Sequence, residues 1–507
     1  MTTKKYQKWL GLSALVPALA MIFMDQTILP VALPTIRADL GASEAALQWT
    51  VNAYLLVIAV LVLAGGKIGD WIGYRRTFVL SMFIFALASL FCGMSANIHW
   101  LIAARALQGI GAALMFPAST ALLMSLFPPS ERGKASGINV SVSSVFLILS
   151  PLIGGYLVEN YSWEWIFWMN LPLAALGIAL VLLFIPVSQR GNVKIDIWGF
   201  LFFTVASTAL VIGIMQGREW GWASFRISSL FILTVLSAIC LFWREKRAAH
   251  PFLDIALFKH PVYKAVNISV FATQFILMIT VFRAIFFQDG LDWSPMKTGY
   301  VTFLSCLPVL FISSIGGFLS DRYGPKLPIA IGFSCTIYSF FWLAYLIEGP
   351  LWIVLLGLFA LGFGIPLILT PSYASAMNAI PPTKAGTAFG TISTIRSLGS
   401  CMGVALIGAF IDNVQYFSMN RSLPDESPAV LHEIISGGAK GQEIINNLPL
   451  ELSQKITAAF HQALYEGFFY SHLVLGFALI AVFFFVFVLY NRKSAHHLPD
   501  TPAAGWD

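Results

Sequence analysis

Four charged side chains stand inside otherwise apolar runs. Asp25 lies in ALAMIFMDQTILPVALP, Arg105 in RALQGIGAALMFP, Arg283 in FRAIFFQDG and Arg396 in TISTIRSLGS. Carrying a charge into such surroundings costs about 3 kcal/mol on insertion scales, which marks each position as a functional candidate. For Asp25 the chemistry is gain and loss of a proton. Burial penalises the carboxylate, a nearby cation restores it, and access to water switches the balance. The competing reading is a hydrated carboxylate near an interface. Arg105 sits deeper than a snorkelling side chain prefers. It reads as a fixed charge tuning a carboxylate, with Asp25 the candidate, or as a donor to backbone carbonyls. Arg283 suits either an anionic group of a ligand or pairing with Asp289 and Asp292. Arg396 faces a cavity or pairs at its rim.

The elements that must hold these charges are helices. The chain has 507 residues, of which 58% are hydrophobic, 14% aromatic and only 11% charged. Its apolar runs reach the ~20 residues that cross a bilayer as a helix, and in lipid the backbone must satisfy its own hydrogen bonds. The short alternating segments of a membrane barrel are absent. The fold class is therefore all-α integral membrane. Fourteen spans are predicted: 9–30, 48–67, 77–96, 99–122, 135–158, 164–186, 197–215, 226–243, 264–287, 298–319, 327–346, 350–371, 385–411 and 468–491. The lysines at the N-terminus and the Ala18-Leu19-Ala20 triplet imitate a signal peptide. The apolar run continues to Leu29, so an uncleaved first helix is expected.

Charge sets the orientation. With a cytoplasmic N-terminus, 20 of the 30 Lys and Arg residues fall in inner segments and seven outside. The inner set includes Arg75, Arg76, Arg132, Lys134, Arg190, Lys194, Arg322, Lys326, Arg492 and Lys493; Arg37, Arg218 and Lys440 are among the outer seven. That bias places both termini in the cytoplasm. The net charge of +6 then needs no anionic partner, and without a basic block interleaved with aromatics no nucleic acid is expected. The five cysteines lie singly in apolar runs, and no metal site is expected. The eight histidines are scattered, with no converging nucleophile and base, so an enzyme is not expected. No GxxxxGK[ST] loop occurs, which excludes the usual ATP cradle.

The chain also repeats itself. GGKIGDWIGYRR, from Gly65 to Arg76, returns as GGFLSDRYGPK, from Gly316 to Lys326, at an offset of 251. Gly109 and Gly111 return as Gly362 and Gly364 at 253, as does PPSERGKASG in PPTKAGTAFG, Pro381 to Gly390. Several matches in one order at nearly one offset indicate duplication. The predicted organisation is a six-helix bundle over 1–190, two inserted helices over 191–250 and a second six-helix bundle over 251–495. The second bundle includes a long outer loop, 412–467, and a tail follows at 496–507. Within that loop, residues 452–469 have helical spacing and are expected to form a helix outside the membrane. Parallel repeats of this kind place a substrate between the halves near the midplane.

The turn motif resembles the signature G-x-L-[AG]-D-[RK]-x-G-R-[RK] of the major facilitator superfamily. Gly66, Gly69, Asp70, Gly73 and Arg75 fit, while Trp71 and Tyr74 depart; Gly317, Asp321, Arg322, Gly324 and Lys326 carry the second copy. MDQTILPVALP is similar to the first-helix motif of that superfamily's fourteen-span drug:proton antiporters, with Leu29 and Pro30 departing. The segment around Arg105 resembles the fourth-helix signature associated with proton coupling. Gly137, Pro151, Gly154 and Gly155 match the antiporters' fifth-helix packing motif, with Phe146 and Ser150 replacing two glycines.

The resemblance implies a transporter of the cytoplasmic membrane that works by alternating access. It implies proton-coupled efflux of small amphipathic or cationic compounds, with Asp25 and Arg105 coupling the proton. The energy source is the proton gradient and no cofactor is expected. A metabolite facilitator or importer on the same fold is the alternative. Gly66, Asp70, Gly73, Arg75, Arg76, Asp321, Arg322 and Lys326 are expected to form a cytoplasmic gate, the aspartates capping a helix or pairing with an arginine. Trp49, Asn52, Tyr54, Gln274, Arg283 and Tyr373 are the candidate cavity residues. The bilayer and a small-molecule substrate are the implied partners, and a periplasmic adaptor is a candidate third.

Overall fold

The computed structural model describes residues 2–188, 196–217, 220–248, 252–381, 384–424, 430–431, 434–435 and 449–491. Arg190, Lys194, Arg218, Pro382, Thr383, Lys440, Arg492, Lys493, the tail 496–507 and much of the loop 412–467 lie outside them. Among the described residues every regular element is helical, and fourteen helical segments are long and apolar enough to span a membrane.

The first half comprises α1 (Thr2–Leu40), α2 (Glu44–Ile72), α3 (Tyr74–Gly93), α4 (Ile98–Leu126), α5 (Pro129–Asn160), α6 (Trp165–Trp168) and α7 (Asn170–Phe184). Next come α8 (Ile197–Met215) and α9 (Phe225–Arg247). The second half holds α10 (Pro261–Leu277), α11 (Ile279–Ile285), α12 (Pro295–Tyr323), α13 (Lys326–Leu346), α14 (Leu351–Asn378), α15 (Ala385–Ser422) and α16 (Leu450–Asn491). Polar caps start several of them: the side chain of Asn97 accepts from Trp100 N at 2.9 Å, and that of Ser294 from Lys297 N at 3.2 Å. Each satisfies a backbone N–H that the first helical turn leaves orphaned.

Helices α1–α7 pack on one another, as do α10–α16; the halves meet where α2 crosses α15, α5 crosses α12 and α1 crosses α11. α8 and α9 form a hairpin whose α8 lies against α2 and α15. The repeated glycines serve the same purpose twice. A Cβ on Gly111 would stand 2.8 Å from the backbone of Phe85 in α3, and one on Gly364 2.7 Å from that of Gly332 in α13. The turns repeat as well: Gly73 (φ 95°) links α2 to α3 and Gly324 (φ 79°) links α12 to α13. Only glycine takes that conformation freely.

Three segments depart from the predicted spans. Residues 452–469 are helical as expected, and they run without a break into the last span as the opening turns of α16, 42 residues long. No proline interrupts them, and the glycines at 467 and 476 cost only about 1 kcal/mol each, too little to break a packed helix. α15 likewise runs past 411 to Ser422. The ninth span is broken at Met278 and ends in a π-helical turn, Phe286–Gly290. Such widened turns are frequent at functional sites.

Candidate functional site

α1, α2, α4, α11 and α15 surround a cavity between the two halves. From the first half Asp25, Gln26, Tyr54, Arg105 and Phe116 line it; from the second, Met278, Val281, Ser393, Arg396, Ser397 and Ser400. Asp25 and Arg105, 80 positions apart in sequence, meet there. Arg105 Nη1 donates to Asp25 Oδ1 at 2.6 Å and to Gln108 Oε1 at 2.5 Å, and its Nε donates to the carbonyl of Thr50 at 3.0 Å. Arg105 therefore contacts both the carboxylate and a backbone carbonyl. Gln108 is fixed in turn by donating to Ser89 Oγ at 3.0 Å.

The pair is almost wholly buried, with Asp25 4% and Arg105 1% exposed. The guanidinium lies 4.3 Å from the ring centre of Tyr54, a cation–π contact inside a poorly hydrated site. Its Nε and Nη1 are both engaged. Asp25 Oδ2, by contrast, is buried with no hydrogen-bond partner. One oxygen of the carboxylate is held and the other is not.

Tyr54 is the one cavity residue of the six expected that lines this space. Asn52 turns the other way, its Nδ2 directed at Met215 Sδ in α8, 2.8 Å away. Gln274 is buried behind the wall, accepting from Ser400 Oγ at 3.3 Å. Tyr373 packs near Phe389, 6.3 Å between ring centres, and Trp49 does not reach the lining. Arg283 is 3% exposed inside the second half, with Nη1 unpartnered and no ion pair to Asp289 or Asp292 among the described residues. These misplacements share a cause. An aromatic or amide side chain on a span has several faces to choose from, and its residue type does not select one. The missed residues, Gln108, Ser393, Ser397 and Ser400, carry a positional signal. Gln108 lies three residues from Arg105 on the same helix face, and the serines recur with Arg396 at helical spacing.

The gate residues keep their bonds within their own halves. Asp70 accepts from the hydroxyl of Tyr74, the residue that departs from the signature, rather than pairing with an arginine or capping a helix. Arg75 donates to the carbonyl of Leu182 at 2.7 Å and Lys326 to Asn491 Oδ1 at 2.7 Å. Asp321, Arg322 and Arg76 are exposed, and a Cβ on Gly66 would find only Pro117, 3.9 Å away. Polar contacts between the halves lie at the other end of the bundle. Arg37 at the end of α1 pairs with Asp289 at 2.5 Å and with Glu44 at 3.6 Å. Gln288 donates to the carbonyl of Val31 at 2.9 Å, and Glu159 accepts from Met296 N at 2.9 Å. At the same crossing the fifth-helix motif touches α12. A Cβ on Gly155 would stand 2.6 Å from the carbonyl oxygen of Pro295, and one on Gly299 2.2 Å from that of Pro151. Gly154 packs on Ile28, whereas Gly137 has open space around it and takes no part in packing.

Residues 15–404 match the sequence profile of the Major Facilitator Superfamily. The chain belongs to that superfamily. As a Major Facilitator protein it is a multi-pass membrane transporter of the secondary active kind. It is 32% identical over 430 residues to the multidrug resistance protein Stp of Mycobacterium tuberculosis (strain CDC 1551 / Oshkosh), covering 83% of this chain and 80% of that one. It is also 32% identical over 428 residues to the riboflavin transporter RibZ of Clostridioides difficile, covering 83% and 92%. The fold is shared with a bacterial homologue of the human lysosomal transporter Spinster, solved inward-facing and unoccupied. There the TM-score is 0.63 at 17% identity, over 97% of this chain and 99% of the other.

Proposed function

We propose that this transporter expels small amphipathic compounds from the cytoplasm in exchange for protons. The carrying observation is the Asp25–Arg105 pair, buried at the wall of the central cavity with one carboxylate oxygen unpartnered. Asp25 takes up and releases the proton. Arg105, tied to Gln108 and to the Thr50 carbonyl, is the fixed charge that keeps the carboxylate ionisable in a poorly hydrated site. The likeness to Stp supports drug efflux. The basic residues of the turns at the end bearing the termini support a cytoplasmic membrane location with both termini inside. A second reading, a metabolite carrier, is favoured by the likeness to RibZ.

The test is Asp25→Asn in reconstituted vesicles, with a compound found by comparing drug sensitivity of cells with and without the gene. Expected is loss of pH-driven accumulation from a protein that still purifies as a folded monodisperse species. Accumulation against a gradient by the variant under an imposed pH difference sinks the proton role.

A further inference from the structure

The cavity contains a second arginine that the proton-coupling pair does not use. Arg396 lines it from α15 and makes no ion pair among the described residues. Its guanidinium stands 5.9 Å from the ring centre of Phe116 on the opposing half. Phe116 is stacked with Phe389, 6.4 Å between centres and 7° between planes, so apolar aromatic side chains adjoin the charge. Ser393 and Ser397 share the lining face with Arg396. Asp25, from the first half, lines the same cavity, and its Oδ2 is buried without a hydrogen-bond partner among the described residues.

We infer that the cavity is a two-point clamp for flat, uncharged aromatic compounds: Arg396 donates to a carbonyl at one end of the ligand, and Asp25 Oδ2 accepts an N–H or O–H at the other. The inference rests on the transport reading above and names its substrate class. Charge selects for neutrality. Among the lining residues two arginines face one carboxylate already held by Arg105, so a cation is repelled by Arg396. An anion at Arg396 would make the Asp25 charge costlier and draw a proton in beside it, which is cotransport rather than exchange. A neutral donor seated on Oδ2 and a proton on that oxygen exclude each other, as exchange requires. The guanidinium's N–H fork suits carbonyl oxygens, and Phe116 offers an aromatic face for the ring.

Three fluorescent probes test the clamp on purified protein in nanodiscs. 2-Acetyl-6-aminonaphthalene carries both ends, its N,N-dimethyl derivative lacks the donor, and 2-aminonaphthalene lacks the carbonyl. The first is expected to bind about 10-fold tighter than either control, the effect of one hydrogen bond to a charged group. Arg396→Gln is expected to reduce its Kd advantage over 2-aminonaphthalene to nothing while leaving the Kd of 2-aminonaphthalene unchanged, and Arg396→Lys to keep part of it. Equal binding of all three probes by the unaltered protein overturns the clamp, as does an Arg396→Gln protein that retains the preference. If the preference holds but a pH gradient drives no exchange of the probe across vesicles, the efflux reading falls and the clamp stands. If the gradient drives exchange while the three probes bind alike, the clamp falls alone.

Discussion

Arg105 spends its hydrogen bonds on three partners, and only one of them, Asp25, carries charge. The neutral partners fix the guanidinium independently of Asp25, as the proposed proton exchange requires of it. The converse does not apply. Asp25 accepts at Oδ1 from Arg105 and has no other hydrogen-bond partner among the described residues. Removing the arginine therefore strands a carboxylate in a buried site, and breaking a buried pair from one side costs about 3–5 kcal/mol. Arg105→Gln should accordingly lower the melting temperature in detergent by more than the double variant Asp25→Asn, Arg105→Gln, in which no lone charge is left. A double variant that melts no higher than Arg105→Gln would show that the pair's charges are not coupled energetically.

At the scale of elements, α5 and α12 touch backbone to backbone. Gly155 and Gly299 lie against the carbonyls of Pro295 and Pro151, with no flexible side chain between them to yield. A side chain at either position must push one half of the transporter off the other. Gly155→Val and Gly299→Val should each destabilise by about 1–3 kcal/mol and slow transport, whereas Gly137→Val, in open space, should stay within about 0.5 kcal/mol. Thermal melts of the three variants separate the cases, and equal losses at all three positions would refute the crossing. This contrast also shows what the residue pattern can reveal. All four motif positions were legible as a motif, but which of them bears a close approach depends on how α5 is rotated against α12. The helices themselves were legible because lipid leaves an apolar run no other form. Asp25 and Arg105 were legible as candidates because a charge in an apolar run is costly, although the residues alone left a hydrated carboxylate and a backbone-bonded arginine as competing readings. Arg396 was noticed without a decision between cavity and rim, since one residue on a helix does not reveal its own azimuth. The break at Met278 left no mark at all: no proline or glycine stands at it, and packing against α1 and α15 decides it.

Across the whole molecule, the halves are tied at the end away from the termini and the glycine-aspartate turns are bonded within their own halves. Asp70 holds Tyr74, Arg75 holds the Leu182 carbonyl, and the ties between halves include Arg37 to Asp289, Gln288 to Val31 and Met296 to Glu159. The π-helical turn Phe286–Gly290 supplies both Gln288 and Asp289, so a local widening of one helix sets the closed end. The Arg37–Asp289 pair spans the two halves at that end, so parting the halves there would break it. Its loss must favour the opposite arrangement by whatever the pair contributes, and about 1.4 kcal/mol moves the ratio of two states 10-fold. Asp289→Asn is the clean probe, because Arg37 keeps Glu44 within its own half at 3.6 Å and no buried cation is stranded. Spin labels at the exposed positions Tyr161 and Tyr300, with Cys240, Cys306 and Cys335 replaced by alanine, report the separation of the halves at this end. Asp289→Asn should transfer population from the short to the long distance by about 5- to 10-fold. If the distribution does not move, the ion pair is dispensable and the remaining contacts, Gln288 with Val31, Met296 with Glu159 and the backbone crossing of α5 with α12, keep this end closed.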